Sequence, residues 1–141
     1  MGNQYRDLRN KQAAEVNAFP MFFAFSDKQF AEGMEKLGLG PEDTDKIYRL
    51  GNTGGYYRKS DASELRDMFA RHEREFRESI EADTTGDGFI FEMFNYELAN
   101  HEYNYTRDPG PTLDALGLSL DEIKASPALL HGWKKAVKRN G

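Results

Sequence analysis

The strongest constraint on the fold is the segment 89–103, in which apolar side chains occur on nearly every side of a helix. A surface helix has one apolar stripe, so a helix that is apolar all round must be packed on more than one side. We therefore predict a central helix here. The preceding helix, predicted near residues 60–82, would pack against it through a narrow apolar stripe formed by Leu65, Met68, Phe69, His72, Phe76 and Ile80.

The remaining pattern predicts an α+β fold, mostly helical, with a small antiparallel β-hairpin or three-stranded sheet. An amphipathic helix covers residues 4–19, a short apolar strand 21–25, and a second helix begins at Ser26. Glycines at 51–55 separate two strand-like runs and predict a hairpin over 46–59. Helical pieces follow residue 110, with a capping box at Ser119 and a proline start at Pro127.

The length of the chain predicts a single domain over residues 1–141. The absence of cysteine excludes disulfides, thiolate metal sites and a cysteine nucleophile. No apolar run reaches 18 residues, and the N-terminus has no apolar core typical of a signal peptide. We therefore expect a soluble, cytoplasmic protein without a membrane association.

Charge is unevenly distributed along a chain of net charge −5. Residues 60–102 contain 12 acidic and 4 basic side chains, whereas residues 124–141 contain 5 basic and no acidic ones. Bulk charge therefore disfavours nucleic acid as the partner, although a local basic patch is available. The acidic region is either a solvated face or a surface that meets a nucleic-acid-binding partner protein.

The segment 83–88 has the spacing of the first part of an EF-hand loop, with oxygen side chains at Asp83, Thr85 and Asp87. The twelfth position, where a glutamate would complete the shell of a calcium ion, is Phe94. We therefore expect no metal, and favour a turn between helices in which Asp83 caps.

Three polar residues fall on the apolar stripes: His72, Glu97 and His101. Glu97 and His101 are four residues apart and share one helix face. We expect a hydrogen-bonded polar network in the core, because a buried carboxylate is costly without a partner. A metal site and an acid–base pair built from the same residues are the alternatives.

Aromatic and basic residues alternate in the predicted hairpin, where Tyr48, Tyr56 and Tyr57 accompany Arg49, Arg58 and Lys59. Such a pattern suits either packing of a small sheet or stacking of single-stranded nucleic acid. A polar and aromatic cluster at 101–105, at the end of the predicted central helix, has a composition seen in interface anchors and equally in helix ends. The predicted binding residues are Tyr56, Tyr57, Arg58, Tyr103 and Tyr105.

The chain resembles a family of small uncharacterised proteins found in gut bacteria, their phages and integrated mobile elements. The resemblance rests on three strings, at residues 17–39, 45–62 and 83–103. It implies an accessory protein of mobile DNA, and short acidic proteins in that setting are often inhibitors of host defence, including anti-CRISPR proteins.

The leading hypothesis is therefore a non-enzymatic protein, without a cofactor, that binds a partner protein. The alternative is a nucleic-acid or small-ligand binding module that uses the 46–59 hairpin and the basic C-terminal helix. A metal-dependent enzyme at His72, Glu97 and His101 is the third hypothesis.

Overall fold

A computed structural model describes residues 3–141, which contain eight α-helices and a three-stranded sheet, and confirms the α+β class. Short 3-10 turns at Thr44–Lys46 and Lys59–Asp61 flank the hairpin. The three strands are β1 (Met21–Phe23), β2 (Ile47–Leu50) and β3 (Gly55–Arg58). The helices are α1 (Gln4–Ala18), α2 (Asp27–Lys36), α3 (Ala62–Ala82), α4 (Phe89–Asn100), α5 (Tyr103–Thr106), α6 (Gly110–Leu116), α7 (Leu120–Ala125) and α8 (Pro127–Asn140).

The contacts group the chain into two compact units. The first unit contains the N-terminal segment through Ala13 together with Glu73–Gly141, and the second contains Ala14–His72. A single domain over residues 1–141 stays a prediction.

The core of the first unit is built around α4, as its all-round apolar sequence predicts. Ile90, Met93, Phe94 and Leu98 are almost completely buried, and α8 is the helix that contacts α4 most extensively. Gly132 makes this close contact possible, because a Cβ there would lie 2.5 Å from a methyl carbon of Ile90.

Tyr5 of α1 also belongs to this core, with 2% of its surface exposed. Its ring meets the rings of Phe76 and Phe89 edge to face, with centroids 6.5 and 5.9 Å apart. Edge-to-face pairs of this kind add to the energy of apolar burial. The first turn of α1 therefore packs against the C-terminal half of α3 and the start of α4.

The expected packing stripe of α3 is partly wrong. Phe76 and Ile80 join the core of the first unit, but Phe69 lies in the second unit with 39% of its surface exposed. The ring of Phe69 instead contacts His72, with centroids 6.4 Å apart. A 3.6-residue period identifies the face of a helix, but does not say how far along the helix that face is covered.

The second unit contains a three-stranded antiparallel sheet in the order β1-β3-β2, which confirms the predicted hairpin and adds β1 as its third strand. The α2 helix covers one face of the sheet through Met34 and Leu37, which pack with Phe22 and Ile47. Ser26 caps α2 as predicted, since its side chain accepts a hydrogen bond from the backbone N–H of Gln29.

The predicted helix starts in the C-terminal third are confirmed. Ser119 and Glu122 form a capping box at the start of α7. Ser126 caps α8, and Pro127 occupies its first turn, where a missing N–H costs nothing.

Candidate functional site

The two neighbouring tyrosines of β3 point to opposite faces of the sheet, because side chains alternate along a strand. Tyr56 lies on the α2 side, where its ring stacks on Phe22 at 5.3 Å and meets Phe30 edge to face at 5.2 Å. Tyr57 lies on the other side beside Tyr48, with ring centroids 5.9 Å apart. The structure therefore brings Tyr48 and Tyr57 together and assigns Tyr56 to packing.

Exposed rings gather on the sheet face opposite α2. Phe23 is paired with Gly55 and is 50% exposed, and Tyr48 is 47% exposed. The Phe23 ring lies across β3, so that a Cβ on Gly55 would be 2.9 Å from it. Phe25, 77% exposed, lies in the same way against Gly54 at the hairpin tip. We call this surface the aromatic face, formed by Phe23, Phe25, Tyr48 and Tyr57.

The cationic side chains of the hairpin are mostly engaged within the second unit. Arg58 donates from Nε to the Asp61 carboxylate at 2.7 Å and from a terminal nitrogen to the Leu37 carbonyl oxygen at 3.3 Å. Lys46 is 3.6 Å from the Asp43 carboxylate, and the Lys59 amine lies over the Tyr48 ring at 5.0 Å. Arg58, predicted as a binding residue, thus has a structural role here.

The two predicted tyrosines after α4 differ in accessibility. Tyr103 packs against the core of the first unit, and the guanidinium of Arg107 lies 5.9 Å from its ring centroid. Tyr105 is 81% exposed. Of these two residues, only Tyr105 offers a largely free ring.

Glu97 is buried in the first unit, with 7% of its surface exposed. Its carboxylate accepts a hydrogen bond from the Asn100 side-chain amide at 3.5 Å and lies close enough to Tyr5 to influence the pKa of that hydroxyl. Burial is the main reason that the pKa of Tyr5 is raised above its usual value, and Glu97 raises it further, although Arg9 acts in the opposite direction. Arg9 donates to the Tyr5 hydroxyl at 3.2 Å.

This arrangement is a partly buried polar network, of which the sequence predicts only Glu97. It continues from Arg9 to Gln12, whose side chain reaches Glu75 at 3.4 Å. Polar and charged groups in a low-dielectric interior need hydrogen-bond partners, and Arg9, Gln12 and Glu75 supply them to one another. Tyr5, Arg9 and Gln12 lie in α1, far from α4 in sequence. The spacing of residues within either helix therefore gives little indication that these side chains meet near Glu97.

The other two residues of the predicted network, His72 and His101, belong to different units. His101 ends α4, and its Nε2 atom is buried without a hydrogen-bond partner among residues 3–141. His72 belongs to the second unit, where its Nε2 atom lies 3.6 Å from the Glu15 carboxylate. Arg71 pairs with the same carboxylate. Convergence of His72 with Glu97 and His101 stays a prediction.

The loop before α4 is organised by Asp83, whose two carboxylate oxygens accept backbone hydrogen bonds. The N–H groups of Gly86, Gly88 and Ile90 each donate at 3.0 Å, and Thr85 adds its hydroxyl at 3.3 Å. Burial alone would raise the pKa of Asp83, but these donors outweigh it and hold the pKa below its usual value. Asp83 thus acts as a cap for α4.

Asp87 of the same loop holds two side chains of α8. The Nε2 atom of His131 lies 2.8 Å from its carboxylate, and the Lys135 amine lies 3.1 Å from the same oxygen. Hydrogen bonds from these two groups lower the pKa of Asp87. Lys134, Lys138 and Arg139 remain exposed on α8, so the basic patch predicted at the C-terminus is present.

The comparisons with known proteins give one match. The model of a family of unknown function (DUF7659) matches residues 4–139, almost the whole chain. The chain belongs to this family. No curated protein and no solved structure matches this DUF7659 member. None of its helices within residues 3–141 is long and apolar enough to cross a membrane.

Proposed function

We propose that this protein is a non-enzymatic accessory protein that binds a partner protein through the aromatic face. The observation that carries the proposal is the exposure of Phe23 and Tyr48 on one face of a well-packed sheet, beside Phe25. Aromatic side chains are enriched in the centres of protein interfaces and supply most of their binding energy. Soluble proteins seldom expose several large rings on one surface without a function.

The charges around the aromatic face favour a protein over a nucleic acid. A platform for single strands combines stacked rings with a groove of free cations. In the hairpin, however, Arg58 and Lys46 are paired with carboxylates, and Arg49 and Lys59 alone remain for phosphate contacts. Interface rings need no such excess of positive charge.

The context that supports a particular partner is the resemblance to proteins of gut bacteria, their phages and mobile elements. We infer an origin on mobile DNA and action in the cytoplasm of the host cell. A host-defence or nucleic-acid-processing factor is the partner that this context suggests, and inhibition of that factor, as by an anti-CRISPR protein, is the corresponding activity.

Affinity capture from a lysate of the source cell tests the proposal. The tagged protein should retain a partner that Phe23→Ala and Tyr48→Ala each release. Tyr105→Ala is the matched control, because it removes an exposed ring from the other unit. Capture that survives both substitutions, or that depends on Tyr105 alone, would refute the aromatic face as the binding surface.

A further inference from the structure

The β2 strand has a free edge. The sheet order is β1-β3-β2, so within residues 3–141 β2 pairs with another strand on one side only. On its other side, alternate residues of an edge strand present unpaired backbone N–H and C=O groups, which can pair with another strand. Tyr48 and Arg49 in the middle of β2 are exposed, so this edge is accessible.

Two shallow clefts lie along this part of the sheet, and both are lined by Arg49 and Tyr56. The first, of about 290 Å³, is completed by Phe30, Thr44, Ile47 and Tyr48, of which Phe30 and Ile47 offer apolar side chains. The second, of about 260 Å³, is completed by Gly51, Asn52, Gly54 and Gly55. We call them the Phe30 cleft and the tip cleft.

The two clefts share Arg49 and Tyr56, so they adjoin each other on the sheet. Residues two apart on a strand project from the same face, about 7 Å from each other. Because the clefts adjoin, a strand added to β2 can place one side chain in the Phe30 cleft and the next one on that face at the tip cleft. Recognition of this kind takes affinity from the backbone and specificity from alternate side chains.

Arg49 determines the charge that the tip cleft prefers. Within residues 3–141 it forms no ion pair, whereas the neighbouring Lys46 and Arg58 are paired with Asp43 and Asp61. No acidic residue occurs between Lys46 and Arg58 in the sequence. A guanidinium without a local counter-charge is a specific partner for a carboxylate, which it can bind through two parallel hydrogen bonds.

We propose that β2 receives an extended segment of the partner protein that carries an apolar residue and an acidic residue two positions apart. The apolar side chain fills the cleft between Phe30, Ile47 and Tyr56, and the carboxylate pairs with Arg49. The segment continues the sheet as a fourth strand beside the aromatic face. The inference rests on the proposed function only in taking the ligand to be a protein.

Two peptide pools test the proposal on the full-length, ¹⁵N-labelled protein. Both contain blocked heptapeptides with leucine, isoleucine, valine or phenylalanine at position three and serine or threonine elsewhere. The first pool has glutamate at position five, and the second has lysine. The acidic pool should shift the amide signals of Ile47–Leu50 and slow hydrogen exchange at alternate residues of β2, whereas the lysine pool should not.

Substitution of Arg49 gives the decisive control. Arg49→Gln should weaken binding of the acidic pool about tenfold, and Arg49→Glu should transfer the preference to the lysine pool. Lys28→Gln removes an exposed charge from α2 and should change nothing. Equal response to both pools would overturn the acidic preference. Shifted amide signals without slower hydrogen exchange would mean that the peptide contacts β2 without pairing with its backbone, and would overturn strand addition.

A second copy of the chain is another occupant that the same measurement detects. Pairing of β2 with β2 would slow exchange in the protein alone and increase its mass with concentration in sedimentation, and would overturn the proposal. Failure of the proposed function can be distinguished from failure of this inference. If the acidic peptides bind at β2 but affinity capture is unchanged by Phe23→Ala and Tyr48→Ala, the aromatic face is refuted as the binding surface and the edge site is retained.

Discussion

The carboxylate of Asp83 accepts a hydrogen bond from the backbone N–H of Ile90, 3.0 Å away, across the turn that joins α3 to α4. The same carboxylate accepts from Gly86 and Gly88. One side chain thereby satisfies three N–H groups that a turn and a helix start would otherwise leave unpaired. The central helix begins where it does because this carboxylate is present.

Asp83→Ala should therefore destabilise the protein by about 1–2 kcal/mol, the usual cost of losing a helix cap. Chemical denaturation at pH 7 measures the effect. Asp83→Asn keeps the shape and one acceptor oxygen, and should cost less than alanine. Equal stability of the alanine variant and the unmodified protein would contradict the capping role.

The same carboxylate should make stability depend on pH. Because the hydrogen bonds hold the pKa of Asp83 below its usual value, its contribution is complete above the unfolded pKa of about 4 and is lost as pH falls through the folded pKa. The stability difference between the unmodified protein and Asp83→Asn should accordingly shrink below pH 4. A difference that stays constant down to the acid transition would show that the charge of Asp83 is irrelevant.

We expect no tight calcium binding at the 83–94 loop. The oxygens of Asp83 are engaged by backbone N–H groups, and Phe94 is fully buried at the position where a bidentate glutamate is required. Titration calorimetry at physiological salt should detect no micromolar site. A rise in melting temperature with sub-millimolar calcium, absent with magnesium, would overturn this expectation.

Two phenylalanines that the sequence treats alike should differ sharply in energy. Phe94 is completely buried against Trp133, with ring centroids 5.1 Å apart, so Phe94→Ala should cost about 3–5 kcal/mol. Phe69 is 39% exposed, and Phe69→Ala should cost distinctly less. Urea denaturation of both variants measures these losses in the free energy of unfolding. A loss for Phe69→Ala as large as that for Phe94→Ala would contradict the packing described.

Glu97→Gln should destabilise the fold by about 1–3 kcal/mol, because it disturbs a buried carboxylate that accepts from Asn100 and lies near Tyr5. Glu78→Gln is the matched control on an exposed site and should stay within about 0.5 kcal/mol. Glu75 is unsuitable as a surface control, since it pairs with Lys11 and Gln12. Equal losses in thermal melts at positions 97 and 78 would show that the network is not desolvated.

What the sequence predicts well is decided by local chemistry. The capping box at Ser119, the proline start of α8 and the all-round apolar α4 each follow from spacing within one turn or one helix, and the structure contains all three. The opposite faces of Tyr56 and Tyr57 also follow from strand alternation, once the hairpin is known.

What the sequence does not predict depends on contacts between distant segments. Tyr5 reaches Glu97 only because the first turn of α1 packs on α4, and Phe23 becomes exposed only because β1 pairs with β3 at an edge. Taken alone, the apolar run 21–25 fits a strand that is buried on both faces. An edge strand with one solvated face alternates between buried and exposed side chains, and this pattern would have predicted that Phe22 is buried and Phe23 exposed.

The last prediction separates a protein partner from a nucleic acid. Purified protein should not shift single- or double-stranded nucleic acid at ordinary salt, because the net charge of −5 repels phosphates. The exposed cations of α8 are few, and Lys135 is already paired with Asp87.

A gel-shift series at several salt concentrations makes the test. A nucleic-acid module would bind, weaken steeply as salt rises, and lose affinity in Lys134→Ala with Lys138→Ala and in Tyr57→Ala. Lys28→Ala, on α2, controls for loss of charge alone. Micromolar binding with that profile would replace the protein-partner proposal, because phosphate contacts and ring stacking would then account for both the basic helix and the aromatic face.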